Sequence, residues 1–67
     1  MGISYDKLWK KLIDKKMKKM DLKSATGMGS TTLSKLSKDE IVSMNVLVKI
    51  CDVLDCDFKD IVEYKKD

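Results

Sequence analysis

The strongest constraint in this 67-residue chain is the spacing of its apolar residues. Tyr5, Leu8, Trp9, Leu12 and Ile13 recur at the three-and-four step that lines one face of a helix. Leu47, Ile50, Cys51 and Leu54 repeat the step later, with Val46 and Val53 flanking them. Strand-like alternation is nowhere sustained. The chain contains no proline, so helices end where glycine and small polar residues let them.

Those punctuating residues set the expected boundaries. Ser4 is placed to cap a first helix over about 5–16, with Asp6 in its first turn and Ile3 and Leu8 as a hydrophobic staple. A second, short helix is expected over 19–26, with Leu22 and Ala25 inward. Gly27 stops it by accepting the left-handed conformation of a helix exit. Met28 then plugs inward, and a third helix over 30–37 buries Leu33 and Leu36. A buried Leu33 would make Leu33→Ala cost about 2–5 kcal/mol. Residues 38–42 read as a loop. Ser43 caps a fourth helix over 44–55, with Val42 and Leu47 as its staple. Asp57 opens a last helix over 58–63 with Asp60 at its third position, Phe58, Ile61 and Val62 as its apolar residues, and a frayed tail from Tyr64 to Asp67. Met20 and Met28 are expected to fill the core alongside Trp9, with Met17 and Met44 partly exposed. The expectation is one all-α domain over residues 1–67: a compact bundle of five helices with short connections.

The composition excludes several functions. With 43% hydrophobic residues the chain is too apolar for a disordered tail, yet no apolar run approaches the roughly 20 residues of a membrane span. No apolar leader segment follows the N-terminus, so a cytoplasmic location is expected. Histidine is absent, which removes the commonest general base and metal ligand. Cys51 and Cys56 match neither a C-x-x-C redox pair nor a zinc spacing and read as small hydrophobes. Ser4-Tyr5-Asp6-Lys7 fits the S-x-x-K pattern of acyl-transferring serine enzymes but lacks its companion motifs. Gly27-Met28-Gly29-Ser30-Thr31 lacks the strand and the G-K-[ST] ending of a phosphate loop. No enzyme activity, cofactor or metal is expected.

Charge is distributed unevenly. All 14 basic residues are lysine, set against 11 acids for a net charge of +3. Residues 1–23 carry a balance of +5 and residues 51–67 a balance of −3. A basic end and an acidic end suit a protein that meets a polyanion with one face.

The most informative stretch runs from Lys19 to Lys38: a helix, a turn at Gly27, and a helix whose outer face reads Ser30, Thr31, Thr32, Ser34, Lys35. In these residues the chain resembles the helix-turn-helix of the Cro and phage-repressor type. Leu22 stands at that family's first buried leucine, Gly27 at its turn glycine, and Met28 at the apolar plug after the turn. Leu33 and Leu36 stand at the two buried positions of the recognition helix. Leu47 to Asp57 resembles the fourth helix and its exit, and Phe58 to Val62 the fifth, so the likeness covers about residues 4–63. Lys23 departs from the usual small residue, its stem crossing the contact between helices two and three. Lys19 and Ser30 stand where glutamine is frequent.

The resemblance implies a lambda-repressor-like DNA-binding domain and a small transcriptional regulator of bacterial, phage or mobile-element origin. It places Gly29, Ser30, Thr31 and Thr32, and then Lys35, nearest the DNA, with Lys19 beside the phosphates; Ser34 shares the outer face and Lys38 lies beside the helix. Thr31 and Thr32 offer a methyl for thymine and a hydroxyl for phosphate or base, and Lys35 can reach a guanine edge or a phosphate. Without arginine, lysines mainly hold phosphates, and specificity rests on hydroxyl, methyl and single-point contacts. One such module buries only roughly 600–1,000 Å² on DNA, so a homodimer on a palindromic site is expected. Its implied dimer surface is the C-terminal helices, through Phe58, Val62 and Tyr64. The competing reading is a protein-interaction module, such as an antitoxin-like or anti-repressor domain, supported by the acidic C-terminal quarter.

Overall fold

The computed structural model describes residues 2–66. It contains four helices: α1 (Asp6–Asp14), α2 (Lys19–Thr26), α3 (Ser30–Ser37) and α4 (Met44–Leu54). A single 3₁₀ turn at Phe58–Asp60 follows them. Two short strands, β1 (Gly2–Ser4) and β2 (Glu63–Lys65), pair antiparallel with Ile3 opposite Tyr64. The bounds of α2 and α3 coincide with those expected from the sequence, and α4 falls one residue short.

The chain ends overturn the all-α, five-helix expectation. No fifth helix forms over 58–63, and Tyr64 is not a frayed tail; Asp67 lies outside the described residues. Asp57 does cap the turn, accepting from Phe58 N–H at 2.7 Å, while Asp60 accepts from Asp57 N–H at 3.0 Å. Beyond it, the backbone of Glu63–Lys65 finds ladder partners on Gly2–Ser4, an alternative that a helical reading of each end alone omits. Ser4 is consequently a strand residue rather than the N-cap. Its Oγ still accepts from Asp6 N–H at 3.2 Å, but Tyr5 occupies the N-cap position.

Tyr5 organises the start of α1. Its N–H donates to Asp39 Oδ1 at 3.0 Å, so a carboxylate from the exit of α3 satisfies the N–H of the N-cap residue while Ser4 satisfies that of Asp6. The Tyr5 hydroxyl donates to the Glu40 carbonyl at 2.8 Å. The ring is buried with Leu8, Leu12, Leu22, Met28, Leu36, Leu47, Ile50, Leu54 and Ile61, which together form one core. Burial raises the hydroxyl above the ordinary tyrosine range, the Val42 backbone opposes this, and Asp39 adds to the rise.

Each helix leaves through a left-handed residue, and only one of the four is glycine. Lys16, Asp39 and Asp55 have φ of 57°, 57° and 53°, and Gly27 has φ of 73°. After α1, Met17 N–H reaches back to Leu12 O and Lys16 N–H to Ile13 O; after α3, Glu40 N–H reaches Lys35 O and Asp39 N–H reaches Leu36 O. These paired bonds close both helices as Schellman motifs. The closure at Lys16 ends α1 at Asp14 rather than at residue 16.

Several side chains expected inside lie outside. Ile13 is 73% exposed and Met20 is 59% exposed, and Ala25 is exposed, whereas Trp9 and Leu33 are half-buried and pack against the core. On α1 the buried set is Leu8 and Leu12 with Tyr5 just before them, which turns Ile13 away from the core. Leu36, fully buried, is therefore the apolar anchor of α3. Ser43 caps α4 as expected, accepting from Val46 N–H at 3.4 Å, with Val42 half-buried and Leu47 buried.

Two stability measurements check this packing. Leu36→Ala is expected to cost about 2–5 kcal/mol in urea denaturation, and Leu33→Ala clearly less; equal losses would mean that α3 is rotated. Tyr5→Phe is expected to cost about 1 kcal/mol at neutral pH, because the Glu40 carbonyl loses its donor. The folded state binds the Tyr5 proton more tightly than the unfolded chain does. Its contribution is therefore complete below the ordinary tyrosine pKa of about 10 and is lost as pH rises above it. Tyr5→Phe should lack that part of the alkaline loss.

Candidate nucleic-acid interface

The helix–turn–helix forms because α2 has to stop and α3 has to start within three residues. Gly27 supplies the left-handed exit, its N–H bonded to Lys23 O at 2.9 Å. Met28 follows with its side chain buried, and Gly29, extended, precedes α3. Thr26 adds a link not anticipated from the sequence. Its buried hydroxyl donates to Leu22 O at 2.8 Å and accepts from Met28 N–H at 3.4 Å, tying the end of α2 across the turn. The signal available beforehand was a threonine one residue before the turn glycine, where a back-bond to the i−4 carbonyl is a local option.

The outer side of α3 is polar and open. At 3.6 residues per turn, Ser30, Thr31, Ser34, Lys35 and Lys38 fall on the side away from buried Leu36. All five are exposed, as is Gly29. Thr32 differs: it is half-buried at the border with the core and presents less of its side chain than its neighbours. Gly29 gives α3 no side-chain cap, so the N–H groups of its first turn keep their hydrogen-bonding capacity beside a positive dipole end.

Lys19, at the other end of the motif, is exposed, with Nζ 3.4 Å from Ser37 Oγ at the end of α3. Lys23 is half-buried, consistent with a stem lying along a helix contact and its charge outside. The remaining lysines of the basic third do not all gather here. Lys7, Lys10 and Lys11 line a groove on α1 with Asp14 and with Lys59 and Asp60 of the 3₁₀ turn. Sequence order alone does not separate these two basic regions.

Other chemistry is sparse. Among the described residues, no group of three histidine, cysteine, aspartate or glutamate side chains could hold a metal ion. Among the same residues, no helix is long and apolar enough to cross a membrane. Cys51 and Cys56 are free thiols and half-buried. The Cys51 thiol is pushed up to about 11 by burial, then by Cys56 and the carboxylates of Asp57 and Asp52, so at neutral pH it is protonated and poorly nucleophilic.

A rigid two-helix unit with a glycine turn, and a second helix slim and polar on its free side, defines the helix-turn-helix class of DNA-binding domains. The model of the Cro/C1-type helix-turn-helix DNA-binding domain matches residues 7–67, and the chain belongs to that family. It is similar to the transcriptional regulator VanUg in its Form II crystal structure. The TM-score is 0.95 and the identity 50%, over 98% of this chain and 88% of that one. None of the curated proteins matches it.

The two glycines of the turn separate backbone demand from contact. No atom lies within 4 Å of a Cβ added at either Gly27 or Gly29, but only Gly27 has positive φ. Gly27→Ala should therefore cost about 1–2 kcal/mol through backbone strain alone. Gly29→Ala should leave the thermal midpoint nearly unchanged. A comparable loss at both positions would show that the turn depends on something other than Gly27's conformation.

Proposed function

We propose that the chain is a sequence-specific transcriptional regulator that lays α3 in the major groove of double-stranded DNA. The observation that carries this reading is the exposed face of α3. Five polar residues, none larger than lysine, project from a helix whose opposite side is locked by Leu36. Ser30, Thr31 and Ser34 are short enough to let the helix approach base edges. Lys35 and Lys38 extend to a guanine edge or to phosphates. Gly29 brings the first turn of α3 close to the backbone, where its free N–H groups suit a phosphate oxygen. Lys19 supplies a phosphate contact from the start of α2. Thr32 contributes at the margin of the face. The family membership and the likeness to VanUg, a transcriptional regulator, support the same assignment.

A homodimer on a palindromic site completes the proposal, because one module of this size covers too little DNA for tight binding. The helical dimer surface expected at the C-terminus is replaced by the 3₁₀ turn and β2. Phe58 and Val62 are half-buried against the chain's own core, which leaves Tyr64, 60% exposed, as the apolar residue there that a second copy could cover. The second reading, a protein-interaction module, has its own observation. Ile41, Met44 and Val48 are exposed at helical spacing from the loop into α4.

Selection from a random duplex library followed by sequencing tests the proposal, and a palindromic consensus is expected. On that site the double variant Lys35→Glu and Thr31→Ala should lose at least a hundredfold in affinity, on the order of 3 kcal/mol for one base contact and one reversed charge. Circular dichroism should show an unchanged fold. Normal operator binding by this variant would sink the assignment of α3, and failure to enrich any sequence would favour the protein-interaction reading.

A further inference from the structure

Trp9 is the single tryptophan of the chain, and it is neither wholly buried nor free. The ammonium of Lys19 lies 4.4 Å from the centroid of its ring. The same ammonium is 3.4 Å from Ser37 Oγ, and the Ser37 hydroxyl donates in turn to Leu33 O at 3.2 Å. Three helices thus converge on one cation: α1 through the ring, α2 through the lysine, and α3 through its last hydroxyl. The negative end of the α3 dipole lies on the same side, where a cation is favoured.

The chemistry of this contact suits a poised ligand-binding group better than a finished salt bridge. A carboxylate partner would neutralise the ammonium and compete with any incoming phosphate. An aromatic face attracts the cation through its quadrupole while leaving its charge whole. Of the ammonium's three N–H donors, one faces the Trp9 ring and Ser37 occupies another, leaving one for an anion. A surface lysine ordinarily loses its rotamer freedom only when it meets its ligand. Here the ring and the hydroxyl have already restricted it.

We propose that Trp9 and Ser37 are positioning residues that hold the Lys19 ammonium ready for a DNA phosphate at the end of α3 opposite its N-terminus. The inference rests on the reading of α3 as the DNA-facing helix and adds α1 to the machinery through Trp9, which itself touches no DNA.

Non-specific binding is driven by phosphates, so no operator is needed for the test. The probe is a labelled mixed-sequence duplex of about two helical turns, titrated at several salt concentrations with each variant's fold checked by circular dichroism. Lys19→Gln should lower the slope of log affinity against log salt by about 0.9, the equivalent of one phosphate. Trp9→Leu should weaken binding by about two- to fivefold and lower the slope in the same direction. In the Lys19→Gln background it should add almost nothing. Trp9→Phe, which keeps an aromatic face, should retain most of the affinity, and Ser37→Ala should reproduce a smaller part of the loss if Trp9→Leu does not fold. The emission of Trp9 should shift on duplex binding in the wild-type chain and not in Lys19→Gln.

Equal losses from Trp9→Leu in both backgrounds would overturn the inference, because Trp9 would then act independently of Lys19. A wild-type chain that binds the duplex with a slope unchanged by Lys19→Gln would overturn it while leaving the DNA reading intact. A wild-type chain that binds no duplex at any salt concentration would overturn both.

Discussion

The contact on which the arrangement depends is made between the exit of α3 and the entrance of the first helix. Asp39, left-handed, turns its carboxylate onto Tyr5 N–H, and the Tyr5 hydroxyl donates to Glu40 O one residue further along. Tyr5 therefore ties the start of α1 to the exit of α3, fills the core and pins a loop. The loop it pins leads from α3 to α4, so the far end of α3 is referenced to α1. Its near end is referenced to α2 through the Thr26 and Met28 turn. A helix fixed at both ends can present a polar face at a defined angle, which a groove-reading element requires. The Lys19 contact with Trp9 and Ser37 binds the same three helices on the outside of the molecule.

The central helices were legible from sequence because their signals are local. Apolar spacing, Gly27 and the Ser43 cap each act within a few residues, and α2 and α3 have the bounds those signals imply. The left-handed residues after α1, α3 and α4 were less legible, although the end of α3 itself fell where expected. Left-handed lysine and aspartate carry no strong composition mark, and they persist because back-bonding to the preceding turn offsets a strain of about 1–2 kcal/mol each. The chain ends were misread for a different reason. Ser4 and Asp57 are both sound capping residues by local criteria, and Asp57 acts as one. At Ser4 the partner strand lies at the other end of the chain, and no local rule could supply it.

Within the candidate interface, the polar outer side of α3 followed from periodicity, since Leu36 fixes which way the helix faces. The finer errors came from one-residue offsets in that rotation. Thr32 and Leu33 sit at the two borders of the buried side, so both are half-buried where the sequence suggested an open threonine and a buried leucine. The division of the lysines was not legible either. Lys19 and the Lys7, Lys10 and Lys11 set belong to one basic stretch in the sequence and to separate surfaces in space.

The β1–β2 pair has a consequence for the order in which the molecule assembles. Helices and their left-handed exits bring together residues a few positions apart and close rapidly, whereas this sheet joins positions from opposite ends of the chain and bears the largest loop-closure entropy. On loop-closure grounds it is expected to form late in folding and to open early. Because Tyr5 follows β1 directly, loosening of the terminal ribbon would first disturb the anchor of the α3–α4 loop. A chain in which β1 and β2 have not yet paired would carry a formed helix–turn–helix whose α3 is not yet held at its far end.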